Sequence, residues 1–278
     1  MILVVGATGT NGREVVARLV AQGQRVRALV RRAAPGDGVE QVVGDLDDPA
    51  SLAAALRGVE RAFVVTPVDE RAGRWFANFL AAARAAGGVH VVRFSGMGAG
   101  ETRSALFDQH AAADAALAES GLPYTLLRPN SFFQNLLWSA HTIKAQGVFH
   151  LPLADAKQSF VDVRDIADVA VKVLTTPGHA GATYEITGPE ALSCHDLAAT
   201  LSRVLERPVR YVAVPPEAAL ENMRQSGMPE WSATAVTDLY RAMATGAYAR
   251  TSDAVLRLTG RPATTFEQFA RAHAAAFR

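Results

Sequence analysis

The chain opens MILVVGATGTNG, residues 1–12, where the apolar run Ile2 to Val5 leads directly into glycines at 6, 9 and 12. A short, β-branched apolar run bounded by glycine reads as a buried strand. In an open parallel sheet, ligands bind beyond the carboxyl ends of the strands. A glycine turn at that edge lets the backbone approach a diphosphate. The helix that follows presents unpaired N–H groups and a partial positive charge to it. On this reading Gly6 ends the strand, Gly9 sits at the closest approach, and Gly12 lets the helix pack near the sheet. Thr8, Thr10 and Asn11 add donors. The spacing is G-x-x-G-x-x-G rather than the usual G-x-G-x-x-G. Its weight comes from context, because it follows the first strand, opens a helix and precedes two more strand–helix units.

Outward from this stretch, strands are expected at residues 2–5, 25–30, 40–43, 61–65, 89–94, 124–128 and 183–186. Helices are expected between them at 11–22, 50–56, 71–86, 108–119 and 165–175. Several helices end at glycine (Gly23, Gly58, Gly87, Gly121), where a left-handed C-terminal residue is wanted. Such alternation predicts right-handed crossovers and a doubly wound, Rossmann-type α/β fold with a parallel sheet. After Thr187 the pattern changes to a helix at 193–206, a short strand at 208–213 and a mostly helical remainder punctuated by Pro215, Pro216, Pro229 and Pro262. The expected organisation is a dinucleotide-binding domain at 1–187, with residues 130–160 partly lining a substrate cleft. A smaller substrate lobe at 188–278 is not expected to be an independent domain.

Composition narrows the class. Of 278 residues, 49% are hydrophobic and 20% charged, with a net charge of +1. That balance argues against a disordered chain or a nucleic-acid-binding tail. Cys194 is the only cysteine, so no internal disulfide can form, and a reducing cytoplasm is expected. The glycines interrupt the leading apolar run too early for a signal peptide, and no run approaches a membrane span. The seven histidines lack metal-ligand spacing, and no metal site is expected. The only lysines are Lys144, Lys157 and Lys172.

Cofactor preference should be written at the end of the second strand, where an acidic residue binds a ribose 2′-hydroxyl and arginine accommodates a 2′-phosphate. Arg31 and Arg32 stand there, about 20 residues past the glycine turn, so NADP(H) is expected over NAD(H). Asp45, after the third strand, either accepts from an adenine amino group with Leu46 against the ring or begins a turn. Asp48 precedes Pro49 as an expected helix cap. Asp165 is expected to cap the helix beginning at Ile166, with Asp162 shaping the approach.

The runs GATGTNG, GDLDDPASL, FVVTP, RFSGMG, HAAADAALAESGLPYTLLRPNSFFQN and FVDVRDIADVA together resemble the NmrA-like branch of the atypical short-chain dehydrogenases. That branch holds NADP-binding regulators and NAD(P)H-dependent reductases of quinones, triphenylmethane dyes and ergot-alkaloid iminium ions. The resemblance implies that Asp45 and Leu46 meet the adenine and that Thr66, Pro67 and Gly96 border the cofactor. It also places the backbone of Pro129, Asn130 and Ser131 beside the nicotinamide. Phe132 and Phe133 would then wall an apolar cleft, with Met97, Trp138 and His141 as further lining. Ser95, at the carboxyl end of the fifth strand where catalytic serines of the superfamily sit, either bonds substrate or nicotinamide or forms the turn before Gly96.

The chain departs from ordinary short-chain dehydrogenases in lacking Y-x-x-x-K: Tyr124 is followed four on by Arg128, and no lysine lies four after a tyrosine. His110 and Asp114 instead match the H-x-x-x-(E/D) pattern of NmrA-like reductases, one helical turn apart. His110 holds a proton, orients the nicotinamide carboxamide or bonds to a carbonyl, and Asp114 either partners it or is a solvated helix residue. The missing acid points to a small organic acceptor that needs little protonation, such as a quinone, iminium ion or cationic dye. The expected activity is hydride transfer from NADPH; the alternative is a redox-sensing regulator without turnover. Neither a nucleic-acid nor a membrane partner is expected.

Overall fold

Seven of the short apolar runs hydrogen-bond side by side in a single sheet. The computed structural model describes residues 1–33, 39–102 and 104–278. In chain order the elements are β1 (Ile2–Val5), α1 (Thr10–Ala21), β2 (Val26–Val30), β3 (Glu40–Val43), α2 (Pro49–Ala55), β4 (Arg61–Val64), α3 (Ala72–Ala86), β5 (His90–Phe94), α4 (Ala105–Ala118) and β6 (Tyr124–Pro129). A 3-10 helix (Phe133–Ser139) follows, then α5 (Ala140–Gln146), β7 (Val148–Leu151), α6 (Val163–Thr175), β8 (Ala182–Ile186), α7 (Cys194–Leu205), β9 (Arg210–Ala213), α8 (Pro216–Gln225), α9 (Glu230–Met243), α10 (Ala254–Thr259), α11 (Phe266–Ala272) and α12 (Ala274–Phe277). Among the described residues no helix is long and apolar enough to cross a membrane.

The sheet order is β3-β2-β1-β4-β5-β6-β8. Ile2 pairs with Val26 on one side and Arg61 on the other, both in parallel. β8 runs the same way as β6, since Gly181 N donates to Tyr124 O and Asn130 N donates to Ile186 O. Strand order reverses between β1 and β4, which makes the crevice beyond their carboxyl ends the place for a ligand. All four residues of β1 are buried, as a central strand covered on both faces requires. Against this core α3 lays one stripe, Trp75, Phe76, Phe79, Leu80 and Ala83, the i, i+4 spacing of an amphipathic helix.

The chain forms two compact units, each assembled from discontinuous segments. The first comprises Met1–Gly100, Phe107–Pro129 and Ile166–Glu185; the second comprises Glu101–Leu106, Asn130–Asp165 and Ile186–Arg278. Residues 130–165 cohere with the C-terminal segment for visible reasons. Asn130 Nδ2 donates to Ser159 Oγ (2.8 Å) and Tyr248 O (2.9 Å), and Gln158 bridges to Leu192. Phe133 packs among Phe160, Phe266 and Phe269 at 5.2–6.4 Å between ring centroids. The expected strand at 208–213 is present as β9, paired in parallel with β7, a strand the sequence did not announce. Cys194, the first residue of α7, is wholly buried.

Helix starts follow capping chemistry. Asp48 accepts from Ala50 N at 3.0 Å with Pro49 at the first helical position, and Ser193 forms a capping box with Asp196. At α6 the expected cap is corrected. The helix begins at Val163, and Asp162 caps it by accepting from Arg164 N (2.8 Å). Asp165 lies inside the first turn, fully buried, and accepts from Thr264 N (2.7 Å), Thr264 Oγ1 (3.0 Å) and Arg261 Nη1 (2.7 Å). A carboxylate that reaches the N–H two residues on wins the cap position, which frees Asp165 to tie down the C-terminal segment.

Candidate functional site

The glycine turn explains itself residue by residue. Gly6 has φ +79°, and a Cβ there would meet Val65 O at 2.9 Å, so only glycine ends β1 in this way. Gly9 N donates back to Gly6 O at 3.0 Å. At Gly12 a Cβ would lie 2.1 Å from Gly6 O, because the first turn of α1 rests directly on the turn. Gly9 is different: its φ is −77° and a Cβ would meet only Gly6 O at 3.4 Å. No contact within the protein demands glycine at position 9, so the surface there is open to a group outside it.

That space faces a helix start with nothing on it. Gly9 is the N-cap of α1 and supplies no side-chain cap, and no acidic residue occupies the first turn. The first N–H groups of the helix, from Thr10, Asn11 and Gly12, therefore have neither an intrahelical acceptor nor a cap. Asn11 Oδ1 is buried without a hydrogen-bond partner, a state that buried polar groups rarely tolerate. The glycine cradle and the uncapped helix start fit the diphosphate of a dinucleotide, and Asn11 Oδ1, an unpaired acceptor, fits a hydroxyl donor such as the adjoining ribose. Arg31 and Arg32 are exposed immediately after β2. Thr66, half-buried, and Pro67, exposed, follow β4. Asp45 adopts the turn arrangement, its Oδ1 accepting from Asp47 N at 2.9 Å, while Leu46 is half-buried. All these positions lie at the carboxyl edge of the parallel strands.

Beyond β5 and β6 the same edge carries a buried charge cluster. Asp114 on α4 accepts from Arg93 Nη1 (2.7 Å), Ser95 Oγ (2.9 Å), and Arg128 Nε and Nη2 (3.1 and 2.9 Å). Arg93 also sits over the Phe76 ring, 4.8 Å from its centroid, and its Nη2 is 3.3 Å from His110 Nδ1. Burial pushes the Arg93 guanidinium down to about 10, against the pull of Asp114, which leaves it charged at neutral pH. Dense surroundings first, and then the Arg93 and Arg128 charges, push His110 down to about 3. The cluster thus holds two cations, one anion and a neutral imidazole. Gly96 touches it as well, since a Cβ there would meet Phe107 Cε1 at 2.9 Å and His110 Cδ2 at 3.5 Å.

The structure brings Ser95, Gly96, His110 and Asp114 together and corrects several expectations around them. Asp114 is buried and triply paired, so the solvated reading fails. His110 is neutral, which argues against an imidazolium acid. Ser95 is 2% exposed and its proton is engaged by Asp114. Met97 is 1% exposed, a core residue rather than cleft lining. Phe132, half-buried, and Phe133, buried in the aromatic core of the second unit, both line an apolar pocket of that unit with Ser131, Leu153, Phe160, Tyr240 and Met243. Trp138 is 77% exposed and His141 is exposed too. The Asn130 side chain is consumed by internal hydrogen bonds, with its Oδ1 accepting from Ser131 N. Pro129 O accepts from Met97 N. Tyr124 and Arg128 lie on strand β6, where a strand was expected. Arg93 and Arg128 were not anticipated as site residues; the available signal was an arginine near the end of two otherwise apolar strands, VVRF and TLLRP.

The chain is 44% identical over 283 residues to an NAD(P)H azoreductase from Xenophilus azovorans, covering all of this chain and 99% of that one. It is 41% identical over 289 residues to a (4-alkanoyl-5-oxo-2,5-dihydrofuran-3-yl)methyl phosphate reductase from Streptomyces griseus, with 100% and 99% coverage. Among solved structures, the NADPH complex of an NADPH-dependent quinone oxidoreductase from Escherichia coli superposes with a TM-score of 0.89 at 29% identity, covering 99% of this chain and 100% of that one. The model of the NmrA-like family matches residues 1–270, and the chain belongs to that family.

Proposed function

We propose that the protein is an NADPH-dependent reductase that transfers hydride to a conjugated organic acceptor of the azo, quinone or unsaturated-carbonyl kind. The observation that carries this reading is the uncapped α1 N-terminus behind the glycine cradle, with Asn11 Oδ1 unpartnered beside it. The backbone of residues 6–12, with Thr8, Thr10 and Asn11, holds the diphosphate, and Arg31 with Arg32 holds the 2′-phosphate. Asp45 and Leu46 meet the adenine. Thr66, Pro67, Gly96 and the backbone of Pro129 border the remainder. His110 stands at the reactive end, and Ser95, whose hydroxyl donates to Asp114, belongs to the cluster that positions it. When bound, the reduced nicotinamide supplies the hydride. The excess positive charge of Arg93 and Arg128 over Asp114 favours electron density moving onto the acceptor. With no Y-x-x-x-K acid and a neutral histidine, acceptors that delocalise the incoming electrons are the ones suited to this edge. The single buried thiol suits a reducing cytoplasm.

The test is loss of NADPH absorbance with a panel of azo dyes, quinones, cationic dyes and unsaturated lactones, alongside calorimetric binding of NADPH. Tight binding with no oxidation across the panel would replace the reductase with a redox sensor. Arg31→Glu is expected to weaken NADPH binding ~10–100-fold, the worth of a charged hydrogen bond, while leaving NADH affinity unchanged. Equal losses for both coenzymes would remove Arg31 from the 2′-phosphate.

A further inference from the structure

We infer that Arg93 locks His110 as the neutral Nε2–H tautomer, which makes the ring a fixed hydrogen-bond donor to a carbonyl oxygen at the reactive end and not a proton source. A guanidinium has donors only, so at 3.3 Å the Arg93 Nη2 contact requires a bare lone pair on His110 Nδ1. The remaining ring proton must then be on Nε2. The Nε2 side of the ring lies toward Gly96, since Cδ2, bonded to Nε2, is the atom 3.5 Å from where a Cβ on Gly96 would sit, and on the reductase reading Gly96 borders the cofactor.

Among the described residues, the charges that act on the ring support the same state. Arg93 comes from β5 and Arg128 from β6, and both disfavour a second proton. Asp114, one turn along α4, is saturated by those two arginines and Ser95, so it cannot draw a proton onto Nδ1. Arg93 is the positioning residue, and His110 is the group that touches the ligand. The oxygen it meets is either the cofactor carboxamide or the acceptor carbonyl. This last identification rests on the reductase reading; the tautomer does not.

Long-range 1H–15N spectra of histidine-labelled protein at pH 7 and pH 5, with His110→Gln to assign the signal, test the tautomer without turnover. The expected pattern is a pyrrole-type Nε2 and a pyridine-type Nδ1 at both pH values. An Nδ1–H tautomer or an imidazolium at either pH overturns the inference. Folded Arg93→Met should show mixed tautomers and a ring that titrates nearer neutrality; an unchanged pattern removes Arg93 as the cause. Glutamine offers an amide N–H close to the Nε2 position, whereas leucine offers nothing. His110→Leu should therefore lower kcat/KM ~3–10-fold relative to His110→Gln, the worth of one neutral hydrogen bond. If the ring is a general acid, both variants fall together by ~100-fold or more. A weaker Kd for NADP+ in the leucine variant assigns the oxygen to the cofactor; an unchanged Kd with a raised KM for a quinone assigns it to the acceptor. Absence of turnover with every acceptor, but with the expected spectrum, would sink the reductase reading and leave the tautomer standing.

Discussion

Asp114→Asn is expected to lower folding stability by about 3–5 kcal/mol, the cost of stripping the partner from a buried charge. Arg93 and Asp114 are both almost wholly buried, at 4% and 5% side-chain exposure. One carboxylate there satisfies two guanidinium groups and the Ser95 hydroxyl. An amide keeps the shape but offers one acceptor oxygen and no charge, so two cations remain face to face in a region with little water. The loss should show as a drop in the urea midpoint with an unchanged slope. The double variant Asp114→Leu with Arg93→Met removes the more deeply buried of the two orphaned charges, leaving the partly exposed Arg128 to solvent, and should recover part of the loss. A change below about 1 kcal/mol for Asp114→Asn would mean that the cluster is not charged as described.

Gly12→Ala carries the second large effect. Its new methyl would lie 2.1 Å from the Gly6 carbonyl oxygen and 2.9 Å from Ala7 Cα, both backbone atoms that no rotamer change can move. The start of α1 must shift away from β1, costing about 1–3 kcal/mol as overpacking. The amides of Thr10, Asn11 and Gly12 move with it. Losing two aligned charge-assisted bonds lowers NADPH affinity by ~100-fold or more. Gly9→Ala separates the two consequences. Its Cβ meets no forbidden neighbour, so stability should change by no more than about 0.5 kcal/mol, while a methyl in the cradle still lowers NADPH affinity. Calorimetric binding and thermal melts on the two variants check this contrast, and equal stability losses would contradict the different packing of the two glycines.

The first unit was legible because its signals are local. A buried strand such as ILVV, a glycine where the chain must turn with positive φ, and a cap such as Asp48 before Pro49 each act within a few residues. β7 escaped because four residues, VFHL, carry no usable period, and their partner β9 lies some sixty residues on. The exchange of roles between Asp162 and Asp165 turned on which carboxylate found a distant partner, and Thr264 and Arg261 are a hundred residues away. Phe132 and Phe133 are indistinguishable as letters; only the rings of Phe160, Phe266 and Phe269 decide which of the two is core. The cluster around Asp114 was half visible as H-x-x-x-D. Its arginines come from two strands that the sequence shows only as apolar, and the sheet register alone brings them to one carboxylate.

Quinones and unsaturated carbonyl compounds are Michael electrophiles, which alkylate accessible thiolates. The protein's one cysteine, Cys194, opens α7 with no exposed surface, and burial pushes its thiol up to about 12. At neutral pH only on the order of one sulfur in 100,000 is then ionised. Alkylation at this position therefore awaits an excursion that strips α7 of its packing, which makes the adduct a clock for global opening rather than a wound received at the working surface.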